Sequence, residues 1–167
     1  EYTPAEKEGH SELLLFAKNL KGYQQLMQLS SSKMTTEGPF YLAEHQSLLS
    51  DLFAVTLSAK GEVAQTFFED EQQAVHAFQQ LASYFDPQSL FVEHSFSMNQ
   101  QRNPALFSFY QREQLPGVAL QEVRHLTREE GFAVTVLESI KENNQLNITS
   151  QTPEIEGLNY LREAETT

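Results

Sequence analysis

Residues 13–31, LLLFAKNLKGYQQLMQLSS, constrain the fold more than any other stretch of the chain. The apolar run from Leu13 to Ala17 reads as a strand, and Asn19 supplies a side-chain oxygen able to cap a helix. Gly22-Tyr23 then opens that helix, which runs through roughly Met34 with Leu26, Met27 and Ser30 on one side. A strand that turns at once into an amphipathic helix is a unit of α/β architecture.

The rest of the chain continues the alternation. Residues 30–40, SSSKMTTEGPF, read as loop because of the Ser/Thr cluster and Gly38-Pro39. A short helix over 42–49 precedes a strand at 52–57, and Ser58-Ala59-Lys60-Gly61 turns into a short helix at 62–68. Ala74, Val75, Phe78, Leu81, Ala82 and Phe85 recur at helical spacing, and Asp86-Pro87 stops that helix. A strand spans 89–96, Asn103-Pro104 starts a helix carrying Leu106, Phe107 and Tyr110, and a strand follows over 118–123. Thr127 with Glu130 forms a capping box, predicting a helix that buries Phe132, Ala133, Val136, Leu137 and Ile140. The expected fold class is α/β, mostly parallel strands alternating with helices. Its length of 167 residues fits one domain, expected over 1–157, with residues 158–167 as a tail.

Composition excludes several function classes. Eleven basic against twenty-three acidic residues leave a net charge of −12, which repels phosphate backbones, so direct nucleic-acid contact is not expected. The absence of cysteine rules out disulfides and thiolate metal sites and fits a reducing, cytoplasmic setting. No apolar run approaches the length of a membrane span, and EYTPAEKEGH lacks the features of a signal peptide. The chain begins with Glu rather than Met and reaches a strand within about a dozen residues, which fits a processed or subcloned segment.

Several collinear segments carry a family resemblance. They are LLLFAKNLKGYQQLMQLSS, AVTLSAKGEVAQ at 54–65, SLFVEHS at 89–95, LPGVALQEVRHLTREEGFAVTVLESIKENNQL at 115–146, and LNYLREAE near the end. Together they resemble the PHP (polymerase and histidinol phosphatase) domain of the alpha subunit of bacterial DNA polymerase III, Gram-positive type. The resemblance implies a distorted β/α barrel with its metal centre at the strand C-termini. Only the later part of that barrel is expected here, with the family's His-x-His strand upstream of residue 1; no His-x-His occurs in the chain.

The resemblance also implies where metal ligands would fall. A family ligand histidine corresponds to Glu12, with His10 two residues earlier, and another ligand corresponds to Ala59, which has no ligating atom. The family's Asp and His of Asp-Val-His correspond to Glu122 and Arg124. The guanidinium is cationic and donor-only, and His125, one residue later, lies on the opposite strand face. Glu1 aligns with a strand that brings an acidic ligand. These replacements predict a degenerate site with no catalytic residue and no metal in this segment. His45, His76 and His94 sit on separate elements and read as structural. Glu69-Asp70-Glu71 reads as an acidic helix start. Tyr23, Phe78 and Phe107 read as core, and the sequon Asn147-Ile148-Thr149 as coincidence.

Three functions follow as expectations. The first is a structural, protein-binding PHP segment of a replicative polymerase whose Mg²⁺-dependent nucleotidyl transfer lies in the polymerase core, with that core and replisome proteins as partners. The second is a metal-dependent phosphoesterase or 3′–5′ exonuclease using Zn²⁺ or Mn²⁺, with Glu1, Glu12 and Glu122 as residual ligands. The third is an acidic α/β interaction module. An open first strand also predicts self-pairing into a homodimer.

Overall fold

Four strands alternate with helices in the computed structural model, which describes residues 1–4, 9–95, 104–120, 123–141 and Tyr160. Strand β1 (Leu13–Ala17) leads into α1 (Leu20–Thr35), and a 3₁₀ segment (Leu42–Leu48) precedes β2 (Leu52–Thr56). Helices α2 (Glu62–Phe67) and α3 (Glu71–Ser83) lead to β3 (Leu90–Ser95), followed by α4 (Pro104–Arg112) and β4 (Gly117–Leu120). A 3₁₀ turn (Arg128–Glu130) enters α5 (Gly131–Lys141). The α/β expectation is borne out, with strand order β1-β2-β3-β4. Parallel pairing holds between β2 and β3, whereas β1 runs antiparallel to β2. The chain divides into two compact units, residues 1–94 with 102–118, and residues 95–101 with 119–167.

The core of the first unit lies on one face of the sheet. Register pairs Leu15 with Ala54 and Ala17 with Leu52, and Ala54 with Leu90, so these side chains share a face. Leu52, Ala54, Leu90 and Val92 are buried there with Leu81 of α3 and Phe109 of α4. Each fully buried aliphatic or aromatic side chain contributes about 1.5–3 kcal/mol. The opposite face carries Leu14, Phe16, Phe53 and Phe91, and Phe53 meets Phe91 edge-on with ring centroids 6.0 Å apart.

Asn19 caps α1 as its chemistry predicts, its side chain accepting from the Gly22 N–H at 2.9 Å. The helix runs to Thr35, so the expected loop begins six residues later than residue 30, with Thr36 as C-cap. Its buried face is Gly22, Gln25 and Leu29, with Leu26 half-buried against the core, whereas Met27 and Ser30 are exposed. Gln25 turns inward because its amide is used at both ends, donating to Ser50 Oγ at 3.0 Å and the Ser47 carbonyl at 3.5 Å and accepting from the Asp51 N–H at 3.1 Å. Met27 and Tyr23 consequently face outward. Asp70 caps α3, Oδ1 accepting from Gln72 N–H at 2.8 Å. Asp70→Ala is therefore expected to cost about 1 kcal/mol in denaturant unfolding, with an unchanged m-value.

In the second unit Glu130 performs its half of the capping box, accepting from the Leu126 and Thr127 amides at 2.9 and 3.2 Å. The apolar face expected of α5 is not buried: Phe132, Leu137 and Ile140 are all exposed. Phe107 of α4 is also exposed, its ring beside His94 rather than in the core. Residues 143–159 and 161–167, and the cap expected at Asn103, lie outside the described residues.

Candidate site at the turn after β2

Residues 57–63, LSAKGEV, turn the chain from β2 into α2. The Gly61 N–H bonds to the Leu57 carbonyl at 3.1 Å. A Cβ on Gly61 would lie 2.5 Å from both that carbonyl oxygen and Thr56 Oγ1, so only glycine fits. Three carboxylates, Glu12, Glu62 and Glu93, make separate contacts in or beside this turn.

Each carboxylate has its own donor. Glu12, just before β1, pairs with Lys60 Nζ at 2.9 Å, and its backbone N–H bonds to the Lys60 carbonyl at the same distance. Glu93 of β3 accepts from both the backbone N–H and the hydroxyl of Ser58 through one oxygen, at 3.0 and 3.1 Å. Glu62 of α2 accepts a 2.6 Å hydrogen bond from the Tyr2 hydroxyl. Both partners of this last contact are buried, and burial together with the Glu62 charge holds the Tyr2 phenol far above its ordinary value. Ser11 Oγ donates to Gln65 at 3.0 Å, tying the segment before β1 to the same helix.

A cleft of about 20 Å³ opens beside this pair, lined in part by Tyr2, Thr3, Tyr41, Glu62 and Tyr84. That volume holds about one water molecule, so it is no substrate pocket. Nearby, the buried Thr56 Oγ1 and Tyr110 Oη are neighbours, and among the described residues neither makes a well-formed hydrogen bond.

Of the positions singled out in the sequence, Glu12 and Ala59 come to this turn, where Ala59 is exposed and offers no donor atom. Glu1 and His10 are exposed. Arg124 belongs to the second unit, as does His125, whose Nδ1 lies 2.6 Å from the Thr127 carbonyl oxygen. Glu122 lies outside the described residues. His45 stacks on Phe40 at 4.4 Å between ring centroids. Glu71 of the acidic run pairs with Arg112. Among the described residues, no three His, Asp or Glu side chains converge where a metal ion could be held, and no helix is long and apolar enough to cross a membrane.

Sequence reasoning missed Lys60 as the partner of Glu12, and it missed both ends of the Tyr2–Glu62 and Ser58–Glu93 contacts. The signal for Glu62 was its place in a run otherwise apolar, Val63-Ala64, at a helix start. A carboxylate there reads equally well as a solvated first-turn charge.

A family model described as PHP domain matches residues 1–96, which contain β1 through β3 and the turn just described. No curated protein matches the sequence.

Proposed function

The chain belongs to the PHP domain family, and from that premise we propose that it is a non-catalytic PHP domain serving a structural and protein-binding role within a DNA polymerase III alpha subunit. The family includes polymerase-associated and phosphoesterase members, and the state of the ligand positions favours the former role without hydrolysis. One observation carries the reading: an ammonium group, Lys60 Nζ, lies 2.9 Å from the Glu12 carboxylate, where a metal ligand would be needed. A divalent cation beside that ammonium would meet like-charge repulsion, worth ~1–4 kcal/mol per unit charge at contact distance in water or near a protein surface. Ala59 offers no ligating atom and Arg124 is a permanent cation, so these positions do not fit a two- or three-metal hydrolytic centre. The polymerase assignment rests on the collinear segments quoted above and places nucleotidyl transfer outside residues 1–167.

Calorimetric titration of the metal-free chain with Zn²⁺ and with Mn²⁺ tests this. The expected result is no stoichiometric binding tighter than about 100 µM and no hydrolysis of a model phosphodiester. Binding of one or more equivalents in the submicromolar range, together with metal-dependent hydrolysis, would overturn it in favour of a phosphoesterase or exonuclease.

A further inference from the structure

The cleft beside the Tyr2–Glu62 contact has the volume of one water molecule, about 20 Å³. Distant parts of the first unit wall it: Tyr2 and Thr3 before β1, Tyr41 just before the 3₁₀ segment, Glu62 of α2, Gln80 of α3 and Tyr84 just after it. Among the described residues that line it, one is a carboxylate and none is basic. The polar atoms these side chains can offer are otherwise neutral oxygens of phenol, hydroxyl and amide groups. Glu62 is 9% exposed, so its charge is largely withdrawn from water. An ionised carboxylate has about four acceptor positions, and the Tyr2 hydroxyl at 2.6 Å does not exhaust them. Burial raises the Tyr84 phenol above its ordinary value and the Glu62 charge adds to the rise, so this second phenol also lies in the field of the carboxylate.

We propose that this cleft binds one monovalent cation of about the size of water, potassium or ammonium, held by the Glu62 carboxylate and the neutral oxygens around it. Size and charge both select that ligand. A buried carboxylate is costly unless a positive charge compensates it, and a phenol hydrogen bond spreads the charge without cancelling it. One carboxylate balances one unit of charge. A divalent ion instead takes roughly six or more oxygen ligands and, in the case of magnesium, gives up its water reluctantly. An anion is repelled by Glu62, and the net charge of −12 draws cations toward the chain. The bound ion ties the segment before β1, the start of α2 and the end of α3 together at one point, which makes the stability of the first unit depend on potassium.

Chemical denaturation of the 167-residue chain at fixed ionic strength, with potassium chloride exchanged stepwise for tetramethylammonium chloride, tests this. Tetramethylammonium has the same charge and is far too large for a one-water cleft. The expected result is a saturable rise in the folding equilibrium constant, roughly tenfold at about 100 mM potassium for a dissociation constant of ~10 mM. Ammonium chloride is expected to act in the same way. Thallous ion, a potassium surrogate, gives a direct readout: its NMR line is expected to broaden with the chain present, and potassium but not tetramethylammonium to reverse the broadening. Glu62→Gln removes the charge while keeping an acceptor for the Tyr2 hydroxyl, and is expected to abolish both responses. Ala43→Phe adds bulk to the cleft wall at an exposed position and is expected to do the same, so the test survives if Glu62→Gln fails to fold. Equal folding constants in potassium and tetramethylammonium, an unbroadened thallium line, or responses undiminished in a folded variant would each overturn the proposal.

Discussion

Replacing Gly22 with alanine is expected to destabilise the chain by about 2 kcal/mol or more, although alanine is intrinsically the better helix former by ~1 kcal/mol. The opposing effect is steric. A Cβ on Gly22 would sit 2.2 Å from the Asp51 carbonyl oxygen and 3.3 Å from the Ala17 Cα. These are backbone atoms that cannot swing aside. Asp51 is fixed from several directions, its carbonyl accepting from the Lys18 N–H at 2.9 Å and its N–H donating to Gln25. Its carboxylate accepts from Asn19, Lys21 and Ser50, and those bonds hold its pKa well below the usual carboxylate range. A depressed carboxylate contributes above its unfolded value near pH 4 and loses that contribution as the pH falls further. Helix α1 therefore has to close on Asp51 within backbone contact, and overpacking there outweighs propensity. The check is the denaturant midpoint of Gly22→Ala, with the m-value unchanged. A midpoint equal to or above that of the parent would show that the contact relaxes at little cost.

The knot around Asp51 explains physically why residues 13–31 could be read in advance. Asn19 capping is local chemistry, decided within four residues, and so is the Asp70 cap of α3. Strand and helix existence followed from runs and periodicity for the same reason. What escaped depended on partners distant in sequence. Gln25 turns inward because residues 50 and 51 arrive to use its amide, an event invisible in the helix itself. The antiparallel direction of β1 depends on the path taken by residues 18–51, which no period encodes. At the candidate site, Glu12 and Ala59 were singled out by the family resemblance, and the structure sets both at the turn after β2. The salt bridge to Lys60 was not legible, because it joins residues 48 apart. Phe132, Leu137 and Ile140 show the limit of periodicity, which marks an apolar stripe without saying whether anything packs on it.

Alkaline unfolding should be steep and should come from two tyrosines. Tyr2 and Tyr110 are both buried, and burial raises both phenols far above the unfolded value near 10; for Tyr2 the neighbouring Glu62 charge adds to the effect. A raised folded value means that the native state keeps a proton the unfolded chain releases. The contribution is complete below about pH 10 and is lost above it, at ~1.4 kcal/mol per pH unit for each tyrosine. By pH 12 the two together remove ~5 kcal/mol, comparable to the whole stability of a typical domain. Tyr84 shifts the same way but is only partly buried and adds less. The two variants should separate at neutral pH. Tyr110→Phe deletes a buried hydroxyl that sits beside Thr56 Oγ1 and has no well-formed hydrogen bond among the described residues, and it is expected to be close to neutral there, while halving the alkaline slope. Tyr2→Phe takes a donor from a buried carboxylate and is expected to cost ~2–3 kcal/mol at pH 7, while reducing the slope equally. Chemical denaturation at intervals from pH 8 to about 12, alongside tyrosinate absorbance, measures both quantities. A stability curve flat across that range would mean that neither phenol is held protonated by the fold. The Tyr2–Glu62 contact would then be no anchor for the turn that carries Lys60 to Glu12.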